Sequence, residues 1–250
     1  MKWILKILPR PWLIALSIRF RPLLKIFFRG SRFIDPIDGS GYRKFLSYGY
    51  HSLRKNALCP GTLSLERHRL LWLYLQRETQ LLDEQLTVLH VAPEQVFYDI
   101  FKNYKHWDYT TTDLHSPLAQ VKADICSLPF DDNTYDLILC NHVLEHIPDD
   151  QKAIKELYRV LKKGGTLIAQ VPLEESRAKS FEDATVIDPK ERAALFGQYD
   201  HVRIYGKDFY KRLEKSGFKV QAIDLLDQLS PEEITTYALP RDEKIPVAKK

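Results

Sequence analysis

The stretch from Asp124 to Val171, DICSLPFDDNTYDLILCNHVLEHIPDDQKAIKELYRVLKKGGTLIAQV, constrains the fold more than any other part of the chain. Tyr135–Cys140 (YDLILC) and Thr166–Val171 (TLIAQV) are short and almost wholly apolar, as expected of strands covered on both faces. Between them lies a helix with Asp149 and Asp150 in its first turn and Ile154, Leu157, Tyr158 and Leu161 on one face. Lys162 and Lys163 close it and Gly164-Gly165 read as its left-handed stop. A strand, a helix and a second buried strand make a right-handed crossover in a parallel sheet. Polar residues gather where the first of these strands ends, and open α/β sheets bind ligands at that end.

The run from Leu128 to Pro172 resembles the central segment of class I S-adenosylmethionine-dependent methyltransferases, in the branch that carries an LPF...VLEHI...RVLK.GG pattern. Leu65–Leu75 (LERHRLLWLYL) and Phe196–Gly206 (FGQYDHVRIYG) resemble a bacterial subgroup of that branch, so the likeness runs from about Ala57 to Asp224. The resemblance implies a doubly wound, seven-stranded, mostly parallel sheet, a Rossmann-like methyltransferase fold, with S-adenosylmethionine lying across the ends of the first strands. Residues 1–62 are then an N-terminal appendage and residues 63–250 the methyltransferase domain.

At 250 residues with 44% hydrophobic content the chain is long enough for one such domain and its appendage. Three cysteines make no even framework, which fits a reducing, cytoplasmic setting. The net charge of +4 is unevenly spread: Lys2, Lys6, Arg10, Arg19, Arg21, Lys25 and Arg29 stand in the first thirty residues with no acidic partner. Trp3, Trp12, Phe20, Phe27 and Phe28 are interleaved with them, and Pro9, Pro11 and Pro22 are expected to break the segment into short pieces. The arm reads either as a peripheral anchor on an anionic membrane surface, at the inner membrane face, or as an appendage packed on the rest of the protein. Its aromatic and aliphatic bias argues against nucleic acid.

Residues 31–62 read as loop. Within them Asp35-Pro36-Ile37-Asp38 and Cys59-Pro60-Gly61-Thr62 share the frame of a zinc-knuckle pair, but with one of four sulfurs present no metal site is expected. Ser64 to Leu82 is a helix, in which Arg67, His68 and Arg69 read as a solvated face or as contacts for an anionic ligand.

The first strand, Leu86–Val91, leads into Ala92-Pro93-Glu94-Gln95, where the family usually has an acidic residue and a glycine-rich turn. By resemblance Ala92 and Glu94 take over that place, Glu94 meeting the amino group of the methionine moiety; the other reading is a turn that has lost its cofactor. The second strand, Trp107–Thr112, ends at Asp113, which accepts the ribose hydroxyls because two carboxylate oxygens match two vicinal donors. A third strand near Val121–Ala123 leads to Asp124 and Ile125, which by resemblance take the adenine amine and ring. Asn141 is the first residue beyond the fourth strand and faces the cofactor.

Methyl transfer to a hydroxyl benefits from a base, and His146 is a candidate, with a packing role as its alternative. The charged segment Pro172–Gly206 supplies the acceptor side through His201, Arg203 and Tyr205, with Arg203 suited to a carboxylate or phosphate. Phe218–Ile223 and an antiparallel Lys244–Ala248 complete the sheet. The expected function is methyl transfer to a small molecule or a lipid- or glycan-linked acceptor; the alternative is a non-catalytic binding or scaffold protein on the same fold.

Overall fold

The computed structural model describes residues 10–49 and 53–250, which divide into two compact units. One comprises Thr79–Leu225 with Asp242–Lys250, and the other Met1–Glu78 with Leu226–Arg241. The helix expected to open the methyltransferase domain therefore groups with the N-terminal unit.

In chain order the N-terminal unit contains α1 (Arg10–Phe27), β1 (Arg29–Ile34), β2 (Gly41–Tyr42), β3 (Leu46–Tyr48), β4 (Arg54–Leu58) and α2 (Glu66–Arg77). Pro9, with the rest of residues 1–9, lies outside the described residues, and Pro11 and Pro22 do not break the arm as expected. Pro11 falls in the first turn of α1, where a missing N–H costs nothing, and Pro22 is carried inside the helix. Nor is the next segment loop: β1 pairs with β2 and β3 with β4 as two antiparallel hairpins. Phe33, Tyr42, Phe45 and Cys59 form their shared core. Gly61 is required there, since a Cβ would lie 1.8 Å from the Tyr42 hydroxyl.

The two knuckle-like tetrapeptides meet, closed by hydrogen bonds. Gly39 N donates to Asp35 O at 2.8 Å and Leu63 N to Cys59 O at 3.0 Å. The fully buried Asp35 carboxylate accepts from the hydroxyls of Thr62 and Ser64. His68 and Arg69 are not on a solvated face. Residues 68–75 of α2 are all buried, and Arg69 donates to the carbonyls of Ala57, Ser64, Tyr237 and Ala238.

The other unit holds β5 (Leu86–Val91), α3 (Gln95–Phe101), β6 (Trp107–Thr112), β7 (Tyr135–Cys140), α4 (Asp150–Val160) and β8 (Leu161–Ile168). These are followed by β9 (Phe181–Glu182), α5 (Pro189–Phe196), β10 (Arg203–Ile204), α6 (Asp208–Glu214) and β11 (Lys219–Ile223). A short helix α7 (Pro231–Thr236) belongs to the N-terminal unit, and β12 (Ile245–Lys249) returns to the sheet. The sheet order is β11-β12-β8-β7-β5-β6. β6, β5, β7 and β8 run parallel, and β12 is antiparallel to both of its neighbours. The central strands are buried almost throughout, and residues of α4 and α6 pack with β5, β7 and β8 in one core.

Two expectations about this sheet are corrected. Six strands form rather than seven: the strand near Val121–Ala123 is reduced to a single parallel bridge, Thr112 to Val121. Three residues with Lys122 exposed and a turn at Asp124 leave no ladder to extend. The glycine pair does not stop the helix either. α4 ends at Val160 and β8 begins at Leu161, with Gly164 at φ +80° inside the strand and its N–H on Lys250 O at 2.9 Å. The start of α4 is as expected, Asp149 accepting from Lys152 N at 2.9 Å.

Candidate functional site

Three loops leave the carboxyl ends of β5, β6 and β7, the ends at which such sheets bind ligands. After β5, Ala92 takes φ +48°, the left-handed conformation that a glycine turn would supply, and its N–H donates to Thr112 O at 2.8 Å. Beneath this turn lies a relay the sequence reading missed. His90, fully buried on β5, places Nε2 2.6 Å from Glu94 Oε2 and Nδ1 2.7 Å from the Tyr109 hydroxyl. Burial, then the neighbouring Glu94, pushes the Tyr109 hydroxyl well above its ordinary range, so it stays protonated. Glu94 is thus held from below by an imidazole while its backbone opens α3.

After β6, Asp113 is half-buried and its Oδ1 accepts from the backbone N–H groups of His115 and Ser116, at 2.7 and 2.5 Å. The turn thereby fixes the carboxylate's orientation. Asp124 is exposed and caps its own turn through Cys126 N at 2.8 Å, whereas Ile125 is 5% exposed within the hydrophobic core.

After β7 the chain turns sharply. Asn141 is buried, with Oδ1 accepting from Gln170 N at 3.2 Å and Nδ2 lacking a hydrogen-bond partner. His142 takes φ +53°, its N–H on Gln170 O at 2.7 Å. The 3₁₀ turn Leu144–His146 then brings Glu145 inward, 1% exposed, with His142 Nδ1 3.3 Å from its Oε1 and neither oxygen in an aligned hydrogen bond. Burial alone would raise the Glu145 carboxyl, but His142 and the charge of His146 outweigh it and hold it below the ordinary range.

The segment around α5 packs onto this turn through Val202 N, which donates to Glu145 O at 2.9 Å. His201 consequently stands beside His146, ring centroids 4.7 Å apart and edge to face. His201 Nδ1 donates to Phe196 O at 3.1 Å, and burial pushes the ring below its ordinary value, so it is neutral near pH 7. His146 Nδ1 lies 3.3 Å from Asp200 O.

The sequence placed Glu145 and His146 after the fourth strand and His201 in a separate segment, and the structure brings the three together. Arg203 differs from expectation. Buried at 3% exposure, it donates to the carbonyls of Leu144, Ile147 and Pro148 and to Glu182, so its fork holds the post-β7 turn rather than reaching out to an acceptor. Tyr205 is likewise fully buried, its hydroxyl donating to Asp150 Oδ2 at 2.8 Å.

The residues present fit S-adenosylmethionine on two counts: a left-handed turn after β5 and an unsatisfied buried amide at the end of β7.

Residues 77–169 match the family model described as a methyltransferase domain. The chain is 31% identical over 121 residues to the demethylmenaquinone methyltransferase of Staphylococcus saprophyticus subsp. saprophyticus, covering 48% of this chain and 49% of that protein. It is 47% identical over 60 residues to the uncharacterised protein MJ0638 of Methanocaldococcus jannaschii, covering 24% and 26%. The chain therefore spans a quarter to a half of the length of these curated relatives. Among solved structures, that of the cyclase SpnF covers 94% of both chains at 16% identity with a TM-score of 0.51, a likeness of fold alone. Strand order, the ligand-facing loops and the matched sequence together make the sheet-bearing unit a methyltransferase domain of the class I, S-adenosylmethionine-dependent family.

Proposed function

We propose that the sheet-bearing unit transfers a methyl group from S-adenosylmethionine to a small molecule or to a lipid- or glycan-linked acceptor. The observation that carries this reading is Asn141 Nδ2, a buried donor with no partner at the carboxyl end of β7, since a buried donor left unmet costs about 1–3 kcal/mol. When bound, S-adenosylmethionine supplies a methyl group on a sulfonium, whose leaving group departs neutral. The chain's part is to hold and to orient. Asp113 takes the ribose hydroxyls, Asp124 and Ile125 border the adenine, and Ala92 and Glu94 take the methionine moiety, Glu94 being steadied by His90. His146 and His201 serve the acceptor side. Arg203 acts through the turn it holds and is a positioning residue.

Calorimetry with S-adenosylhomocysteine tests the reading. Asp113→Ala is expected to weaken binding by about 1–3 kcal/mol, as for losing charge-assisted hydrogen bonds. Unchanged affinity removes Asp113 from the ribose, and no binding by the wild-type chain at millimolar ligand leaves a non-catalytic protein on the methyltransferase fold.

The arm carries a second part of the proposal, contact with an anionic membrane surface. No helix among the described residues is long and apolar enough to cross a membrane. On α1, Phe20, Leu23, Ile26 and Phe27 are exposed, beside Arg19, Arg21 and Lys25. Replacing Phe20, Leu23 and Phe27 together by serine is expected to abolish co-sedimentation with phosphatidylserine vesicles while sparing S-adenosylhomocysteine binding; sedimentation that persists places those residues against protein instead.

A further inference from the structure

Glu145, His146 and His201 offer one donor atom each within 4.8 Å of one another, and what surrounds them suits a metal better than a hydrogen-bond network. The carboxylate is buried yet makes no aligned hydrogen bond, a state that native proteins seldom leave without an ion or water. Each imidazole turns Nδ1 toward an oxygen that can only accept: Phe196 O for His201, Asp200 O for His146. Each ring is thereby set in the tautomer that leaves Nε2 with its lone pair. Metal-bound histidines are oriented in just this way, the second ring nitrogen donating to a carbonyl or carboxylate.

Asp200 Oδ2, 3.5 Å from His146 Nδ1, adds the carboxylate partner such rings often have. The backbone is already in place, because Val202 N on Glu145 O fixes the two ligand-bearing segments against each other. Tetrahedral zinc with ligands at about 2.1 Å sets donor atoms about 3.4 Å apart, so side-chain rotation suffices to close the set.

We propose that Glu145, His146 and His201 form a binding site for a divalent transition metal of the zinc type. Two imidazoles and one carboxylate favour zinc, cobalt or iron over magnesium or calcium. Three protein ligands also leave a position open, as in catalytic rather than structural sites, for water or for an oxygen of the acceptor. This deepens the methyltransferase reading and rests on it for the acceptor: a hydroxyl or carboxylate oxygen would be taken by the metal at the end of β7.

The full-length chain, stripped with a chelator and dialysed, is titrated with Co²⁺ and followed by visible d–d absorption, with Zn²⁺ competition to give the affinity. One equivalent is expected to bind with micromolar or tighter affinity, and His201→Gln and His146→Gln are each expected to weaken it at least 100-fold. His146 is partly exposed, so its variant tests the site without removing the buried His201, and circular dichroism checks the fold of both variants. No uptake by the wild-type chain, or uptake unchanged in a folded His146→Gln variant, overturns the site. S-adenosylhomocysteine binding, measured on the same samples, reports on the methyltransferase reading separately, so the two fail independently.

Discussion

Two buried polar clusters in this chain look alike in composition and differ in how their valences are spent. In the N-terminal unit, Asp35 is fully buried among Thr62, Ser64 and Cys59, and its carboxylate takes two hydroxyl donors while Arg69 binds Ser64 and the carbonyls nearby. After β7, Glu145 is equally buried, yet its carboxylate has only an ill-aligned histidine, and the imidazoles beside it keep lone pairs. The first cluster is closed and holds a fold together. The second is kept short of partners by the same kind of packing, which is the condition of a site that waits for a ligand. Burial of charge is common to both, so burial does not mark function; unspent hydrogen-bonding capacity does.

The most severe way to break the closed cluster is Arg69→Ala. It strands the carbonyls of Ala57, Ser64, Tyr237 and Ala238 and leaves Asp35 without its nearby positive charge, so a loss of about 3–5 kcal/mol is expected from urea denaturation. A loss below about 1 kcal/mol would mean that these bonds are readily replaced by water and that the cluster is not what holds the hairpins.

Arg203→Lys sharpens the other half of the comparison. An ammonium cannot reproduce the fork that serves Leu144, Ile147, Pro148 and Glu182, so stability is expected to fall by about 2 kcal/mol. If Arg203 gripped an acceptor instead, the denaturation midpoint would stay put and the change would appear in acceptor KM. Denaturation and steady-state kinetics on the one variant separate the two.

What the sequence made legible follows the physics of each signal. Continuous apolar runs announced β5, β7 and β8, and Asp149 announced α4, because burial on both faces and capping are local facts. Gly164-Gly165 misled because a glycine at positive φ serves a helix stop and a strand irregularity equally, and the choice was made by pairing with Lys250 at the far end of the chain. Arg69 read as surface because its helix alternates charge with leucine, whereas α2 is enclosed on every side along residues 68–75.

The strand-end rule put Asp113 and Asn141 directly after the carboxyl ends of β6 and β7, where the structure also has them. It had no means of finding the relay of Tyr109, His90 and Glu94, since the contact between His90 and Tyr109 depends on the register of two parallel strands. The spacing of His90 and Glu94, four residues across a tight turn, was the available clue. Glu145 stood among the residues after the fourth strand without a role of its own for a similar reason: an acid in a loop reads as solvated until the segment carrying His201 is laid over it.

The mildest test concerns the thiols, and it probes closure directly. Burial, then the nearby Asp35, pushes the Cys59 thiol up to about 12, and burial drives Cys140 upward as well, whereas Cys126 is half-buried and raised for the same leading reason. A thiol held this far above neutrality supplies almost no thiolate, the form that reacts with disulfide reagents and binds zinc. In the folded protein at pH 8, a thiol-disulfide reagent is therefore expected to titrate Cys126 slowly and to leave Cys59 and Cys140 untouched, with all three reacting after denaturation. Raising the pH toward 10 should quicken Cys126 without exposing Cys59, because the folded pKa lies higher still. Rapid labelling of Cys59 at neutral pH would show the hairpin cluster opening on the timescale of the reaction, and the contrast between a closed cluster and an open one would then be a difference of degree in local stability rather than of spent and unspent valences.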